Sequence, residues 1–366
     1  MTRRTITTAL AALALLVPVA ACGGGGAGGA AEPATTRAVP AARDRWHRVK
    51  PGGDCRCADG SDFSLFERRA DRHRVLLHFG GGGACWSAAT CVQDGRDGGE
   101  GLYAPAVAGG PARRGGIFDL GDERNPFAGW SMVFAPYCTA DVFSGNATTT
   151  YAPGLTVHHK GYVDATAAVD EVATAFPDAT EVVVTGLSGG GVAAPVYGAM
   201  VADRLPGARV VVLADSSGAY PSAAGAITGP WGVGHAIPDW PENAGLTAAQ
   251  WADPVGLYAR AARHAPRVTF ARFDYAYDHV QAFYSGLVGG RSTDLVATID
   301  ANEATIRAAG VDVASYTAAG PAHGVLQYRA FYSEEVGGVR LVDWVARLVA
   351  GRPVGNVHCS DCRGAS

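Results

Sequence analysis

An apolar run, Val182-Val183-Val184, leads straight into Thr185-Gly186-Leu187-Ser188-Gly189-Gly190-Gly191, and residues 191–204 follow with helical character. A buried strand that reverses into a helix over so few residues needs a sharp turn, with its central residue pushed out above the sheet. Side chains at the flanking positions would meet the adjoining elements, so Gly186 and Gly190 fit the requirement. The hydroxyl of Ser188 then faces a helix N-terminus, where aligned peptide dipoles favour developing negative charge. With 50 glycines in 366 residues the G-x-S-x-G pentapeptide alone is weak. The strand before it and the helix after it make Ser188 a candidate nucleophile on a parallel sheet.

Other segments suit the same architecture. Residues 74–79, 131–136, 181–185 and 209–214 are short apolar runs bounded by turn residues, the pattern of strands buried on both faces; 267–273 is a weaker fifth, and 313–317 a further strand. Residues 163–176, 191–204 and 341–349 are predicted helices, the first stopping before Pro177. Strands alternating with helices predict a doubly wound, mostly parallel α/β sheet with helices on both faces and a ligand site at the carboxyl ends of its strands. Residues 216–255 hold Trp231, Trp240 and Trp251 without clear periodicity and read as a lid or binding insertion.

A serine hydroxyl needs a base. Among ten histidines, His323 stands out, in Gly320-Pro321-Ala322-His323-Gly324 after the strand at 313–317. His158 and His159 precede the serine, His235 falls in the insertion, His264 reads as part of an exposed helix, and His279 adjoins the acid candidates. The acid should follow a strand between Ser188 and His323, where Asp278 and Asp274 both qualify; Asp215 reads as structural. An oxyanion hole needs backbone N–H groups: Gly189 supplies one, and the loop Phe79-Gly80-Gly81-Gly82-Gly83-Ala84-Cys85-Trp86 supplies the other. That loop is no phosphate cradle, because no Gly-Lys-Ser/Thr follows.

The N-terminus sets the expected compartment. Arg3 and Arg4 precede an apolar stretch, 6–19, too short for a bilayer span, which closes on Val19-Ala20-Ala21-Cys22. That ending resembles a bacterial lipobox, implying a signal peptide over 1–21, lipidation of Cys22 and anchoring to the outer face of the cytoplasmic membrane. The alternative is a secreted protein in which Cys22 is incidental. Residues 22–45 read as a flexible tether and 46–366 as the catalytic domain. The formal charge is −4, or −6 without Arg3 and Arg4, and no basic stripe is present, so nucleic acid is excluded as a partner. Seven cysteines remain. Cys85 and Cys91 can close a local loop, Cys55 and Cys57 should each pair elsewhere, and an odd number leaves one thiol over. A zinc site built from His358, Cys359 and Cys362 with the early cysteines Cys55 and Cys57 is the alternative, disfavoured by an oxidising compartment.

The motifs together resemble the pectin acetylesterase and Notum-type carboxylesterase family. Cys57-Ala58-Asp59-Gly60-Ser61, the Gly81–Trp86 loop with Cys91, Ala135-Pro136-Tyr137-Cys138-Thr139-Ala140-Asp141-Val142, His159-Lys160-Gly161-Tyr162, the serine turn, Asp278 with Gln281, and 320–323 occur in the family's order. The resemblance implies an α/β-hydrolase-like fold, Ser188 as nucleophile, Asp278 as acid, His323 as base, and Gly82, Gly83 and Gly189 at the oxyanion. It implies no metal and no cofactor, and an acyl-enzyme route on small esters or acylated glycans. Trp86 and Trp231 are candidates for substrate contact. The usual Ser-Ala-Gly-Gly reads Ser188-Gly189-Gly190-Gly191 here. The expectation is a serine esterase removing acetyl or other short acyl groups. Longer-chain lipase-like or depolymerase activity, and a non-catalytic surface binding lipoprotein, are the alternatives.

Overall fold

The computed structural model describes residues 45–92, 102–111, 115–221, 224–290 and 294–363, all within one compact unit, 41–366. The signal segment and Cys22 lie outside the described residues. Nine strands make the main sheet: β1 (His47–Val49), β2 (Leu65–Arg68), β3 (Asp71–Phe79), β4 (Trp130–Ala135), β5 (Glu181–Leu187), β6 (Arg209–Asp215), β7 (Thr269–Tyr275), β8 (Val313–Ala318) and β9 (Val357–His358). Their order is β1-β2-β4-β3-β5-β6-β7-β8-β9, and every strand but β2 runs the same way. The α/β-hydrolase-like, mostly parallel sheet is as the sequence predicts, with strand ends within a few residues of those expected.

The apolar runs are explained by two buried faces. Val75, Leu77 and Phe79 of β3, Val182 and Val184 of β5, and Val210 and Val212 of β6 enter one core; Leu76, Val183 and Val211 enter the other. Successive side chains of a strand point to opposite faces, so both halves of each run are covered, and each buried Val or Leu contributes about 2 kcal/mol. The first core is roofed by α1 (Gly161–Ala175), α2 (Gly189–Arg204) and α3 (Pro254–His264). Two further helices, α4 (His279–Leu287) and α5 (Leu295–Ala308), connect β7 to β8, and α6 (Leu341–Val349) seals the second core with Leu341, Trp344, Val345 and Leu348.

The chain leaves β3 for β4 on one side, then crosses back through α1 to β5 and continues through α2 to β6 on the other. The order therefore reverses between β3 and β5. Connections diverge there and leave a crevice at the carboxyl ends of the strands, the place where such sheets take ligands.

The 216–255 segment is more regular than its composition indicates. It holds four short helical turns, Ala224–Ile227, Val233–His235, Pro241–Asn243 and Ala248–Trp251. Its three tryptophans are buried in the first core. His264, expected on an exposed helix, is instead held between Asp203 (2.8 Å) and Glu242 (3.1 Å) and stacks on Trp240 at 4.2 Å. The hairpin Ala147–Ala152 and Leu155–His159 was not anticipated; its Thr-rich run and the turn glycine Gly154, at φ 79°, are the local signals for it.

Candidate active site

Ser188 sits between β5 and α2 at φ 55° and ψ −119°, a conformation costly for any residue with a side chain. The turn is held by close approach. A Cβ on Gly186 would lie 2.1 Å from the Gly190 carbonyl oxygen, and one on Gly190 would lie 2.4 Å from that of Phe79. Neither obstacle is a side chain that can swing away, so the two glycines are geometric necessities. The Ser188 N–H donates to the Asp215 carbonyl at 2.9 Å, tying the turn to the end of β6.

Asp278 caps the N-terminus of α4, its Oδ1 accepting from the N–H groups of Val280 (2.9 Å) and Gln281 (3.0 Å). Its Oδ2 accepts from Gln281 Nε2 at 3.1 Å and lies 2.7 Å from His323 Nδ1. The carboxylate is fully buried, whereas the imidazole is partly open. Asp274 is brought to a different partner. Its Oδ2 pairs with Arg272 at 3.0 Å, and its Oδ1 accepts from Ser217, Gly218 and Gln281. The geometry thus joins His323 to Asp278 and commits Asp274 to an internal ion pair.

The segment carrying His323 is moored beside the serine. Val325 and Leu326 each donate to Asp215 Oδ2 at 2.9 Å, and Gly324 donates to Ser216 Oγ at 2.8 Å. A Cβ on Gly324 would lie 2.6 Å from Leu187 Cδ1, one residue before Ser188. Burial pushes Asp215 up to about 6. In the resting arrangement Ser188 Oγ makes no hydrogen bond to His323; its partner is the Tyr220 hydroxyl at 3.5 Å. Such contacts are often loose before substrate binds.

The glycine loop leaves β3 and passes alongside. A Cβ on Gly81 would lie 3.1 Å from Ser188 Cβ, and one on Gly83, at φ 77°, would meet the Leu102 carbonyl oxygen at 1.9 Å. The N–H groups of Gly82, Gly83 and Gly189 make no hydrogen bond among the described residues. Buried or half-buried donors are rarely left so, and a ligand oxygen is the kind of partner they lack.

A cavity of about 1000 Å³, counted with its open mouth, adjoins Ser188. Trp86 and Trp231 both line it, with Val192, Ile227, Trp251 and Leu257 among the apolar remainder. The Trp231 indole N–H donates to the Cys85 carbonyl at 2.7 Å, fixing the ring. Tyr220 and Tyr284, which also line it, had no signal in the sequence because neither belongs to a recognisable spacing.

The other candidates are accounted for locally. His159 is buried between Tyr151 and the Thr139 carbonyl, and burial brings it down to about 4. His279 bonds to the Pro321 carbonyl at 2.7 Å, on the turn before His323. Disulfides join Cys57 to Cys138, Cys85 to Cys91 and Cys359 to Cys362. Cys55, expected to pair, is instead a buried free thiol; burial, with the neighbouring Asp164, pushes it up to about 12. The Cys359–Cys362 and Cys57–Cys138 bonds occupy three of the sulfurs that the zinc alternative draws on.

Comparison with known proteins agrees with this picture. The pectinacetylesterase family model matches residues 49–225, a span that includes the glycine loop and Ser188 and stops before Asp278 and His323. Pectin acetylesterase 5 of Arabidopsis thaliana is 28% identical over 135 residues, 36% of this chain and 30% of the relative, so the chain matches under a third of that protein's length. The structure of the Wnt deacylase Notum from Drosophila superposes with a TM-score of 0.61 at 16% identity, covering 86% of this chain and 96% of that one, which is a likeness of fold. The resemblance to pectin acetylesterases, carried in the sequence by scattered motifs, is matched by the family model across residues 49–225, and the likeness to Notum is one of fold.

Proposed function

We propose that the chain is a serine-dependent carboxylic ester hydrolase acting through an acyl-enzyme on Ser188. The observation that carries this reading is the 2.7 Å bond between His323 Nδ1 and a buried Asp278, on a segment moored beside a serine held at positive φ. Asp278 keeps the proton of His323 on Nδ1, leaving Nε2 as the base. Ser188 Oγ loses its proton to Nε2 and attacks the ester carbon. The N–H groups of Gly82, Gly83 and Gly189 receive the oxyanion, each donor lowering the barrier by about 3 kcal/mol. His323 then protonates the departing alcohol, and water repeats the cycle from the other side. Hydrolysis of p-nitrophenyl esters by purified protein beside Ser188→Ala is the test, with a fall of at least 10³-fold expected. Equal rates for the two proteins sink the proposal.

The acyl group is the second question. The family resemblance favours acetyl on a glycan, but the apolar lining by Val192, Ile227, Trp251 and Leu257 offers contacts that suit a longer chain. Each further methylene buried there is worth about 0.8 kcal/mol, or roughly fourfold in kcat/KM. A p-nitrophenyl series from acetate to decanoate should therefore climb beyond acetyl; a maximum at acetate favours the short-chain reading. Three disulfides suit an oxidising compartment. Anchoring through Cys22 is part of the same proposal, and loss of membrane association in Cys22→Ala tests it.

A further inference from the structure

The cavity beside Ser188 contains several tyrosines, and their hydroxyls are not equivalent. Tyr197 donates to the Phe143 carbonyl and Tyr284 to the Leu102 carbonyl, so both phenols are spent on backbone. Tyr220 is different. Its hydroxyl lies 3.5 Å from Ser188 Oγ and makes no other hydrogen bond among the described residues. The backbone that delivers it is fixed on several sides. Gly218 donates to Asp274 Oδ1 at 2.8 Å, Ala219 to Gln281 Oε1 at 2.9 Å, and Asn302 Nδ2 donates to the carbonyls of Gly218 (2.8 Å) and Tyr220 (3.3 Å). The phenol faces the serine because the buried Asp274 and Gln281 and the half-buried Asn302 hold residues 218–220 in place.

The chemistry of Ser188 gives this contact a direction. In the resting enzyme either hydroxyl can donate. Once Oγ carries an acyl group it has no hydrogen, and the bond can run only from the phenol to Oγ. The demand for it is greatest when the acyl-enzyme breaks down, because Oγ is then the leaving atom and gathers negative charge as its bond to the acyl carbon lengthens. Burial raises the phenol well above its ordinary ionisation range, so it stays a donor at any pH the enzyme meets.

We propose that Tyr220 is a catalytic residue that donates a hydrogen bond to Ser188 Oγ and accelerates breakdown of the acyl-enzyme. In that step water gives a proton to His323 Nε2 as its oxygen bonds to the acyl carbon. The bond from that carbon to Oγ breaks, and the proton passes from Nε2 to Oγ. The Tyr220 proton stays on the phenol throughout. The inference rests on the reading of Ser188 as an acylated nucleophile.

Tyr220→Phe tests it, since the ring and its packing remain and only the hydroxyl goes. Three quantities are measured on wild type and variant: labelling of Ser188 by a fluorophosphonate probe, steady-state kcat on a p-nitrophenyl ester, and the fraction of enzyme acylated in acid-quenched samples weighed by mass spectrometry. With p-nitrophenolate leaving, acylation needs little help. The variant should therefore label normally, lose about tenfold in kcat, as expected for one hydrogen bond at a charged atom, and hold a larger acylated fraction at steady state. A kcat within twofold of wild type overturns the proposal. So does a fall in kcat with an unchanged or smaller acylated fraction, or a rise in KM alone, each of which makes Tyr220 a packing residue. Absence of labelling in the wild type is a separate outcome, which removes the reading of Ser188 on which the proposal stands.

Discussion

Asp274 and Asp278 are both buried and both contact Gln281, yet the same isosteric change should affect them in opposite ways. In Asp278→Asn the cap of α4 survives, because the carbonyl oxygen can still accept from Val280 and Gln281. The amide nitrogen then meets two groups that were donating to Oδ2, Gln281 Nε2 and His323 Nδ1, so His323 loses the partner that sets its tautomer. The expected cost is about 1–3 kcal/mol of stability and about 10³–10⁴ in kcat/KM. In Asp274→Asn the three donors to Oδ1 are kept, but the Arg272 guanidinium, itself 4% exposed, loses its counter-charge. An unpaired buried charge costs about 3–5 kcal/mol, a large share of the roughly 5–15 kcal/mol that holds a domain together. Activity per folded molecule should stay within about tenfold of wild type, because Asp274 touches no reacting atom. Urea unfolding gives the first quantity, and kcat/KM normalised to fluorophosphonate-titrated sites gives the second. If Asp274→Asn loses as much rate per titrated site as Asp278→Asn, the division of labour between the two carboxylates is wrong.

Three further outcomes are expected. Gly190→Ala should fail to accumulate as soluble protein, since its Cβ would stand 2.4 Å and 2.7 Å from two backbone oxygens. Gly189→Ala, which restores the family's usual elbow, meets only Val142 at 3.0 Å and should keep kcat/KM within about threefold. Burial and the nearby Asp141 push Asp164 up to about 9, so the folded state holds a proton that the unfolded state releases above about 4; stability then falls as pH rises toward 9, by about 1.4 kcal/mol per unit, and urea unfolding of Asp164→Asn between pH 7 and 9 should show that part of the slope removed. The Cys359–Cys362 bond closes so short a loop that chain entropy assigns it about 2 kcal/mol, against about 4.5 for Cys57–Cys138. The Cys362 carbonyl nevertheless accepts from Gly320 on the turn that leads to His323, so the double alanine variant should lose proportionately more kcat than its small change in Tm indicates.

What the sequence made legible was whatever has a local cause. The runs at 181–185 and 209–214 are strands because both faces of each are covered, and a strand buried on both sides must be apolar throughout. The serine turn was legible because Gly186 and Gly190 each have a neighbouring backbone that permits nothing larger. The choice between Asp274 and Asp278, one inside the end of β7 and the other three residues past it, was legible only through the family resemblance; in the structure Arg272, two residues back on the same strand, takes Asp274, and His323 takes Asp278. Cys55 was misjudged because proximity in sequence to Cys57 says nothing about which sulfur faces Cys138. Tyr220 left no trace at all. Its role is set by Gln281 and Asn302, more than sixty residues away, which hold the backbone on either side of it.

The same reasoning explains why this site can be assembled from segments so far apart. Ser188 lies inside the family match and the His323–Asp278 pair outside it, so something must hold the two in register. Residues 215 and 216 do so, at the end of the strand beside the serine. The Asp215 carbonyl takes the N–H of Ser188, its carboxylate takes those of Val325 and Leu326, and Ser216 Oγ takes that of Gly324 while donating to Asp215. Ser216 sits at φ 53° to make this possible, a second strained residue within 30 positions of Ser188. Strain of that kind persists only where surrounding bonds over-determine it. Here the bonds are the ones that tie the segment after His323 and the turn at Ser188 to one strand end, so the Asp215 that reads as structural in the sequence is what the proposed chemistry of its neighbours depends on.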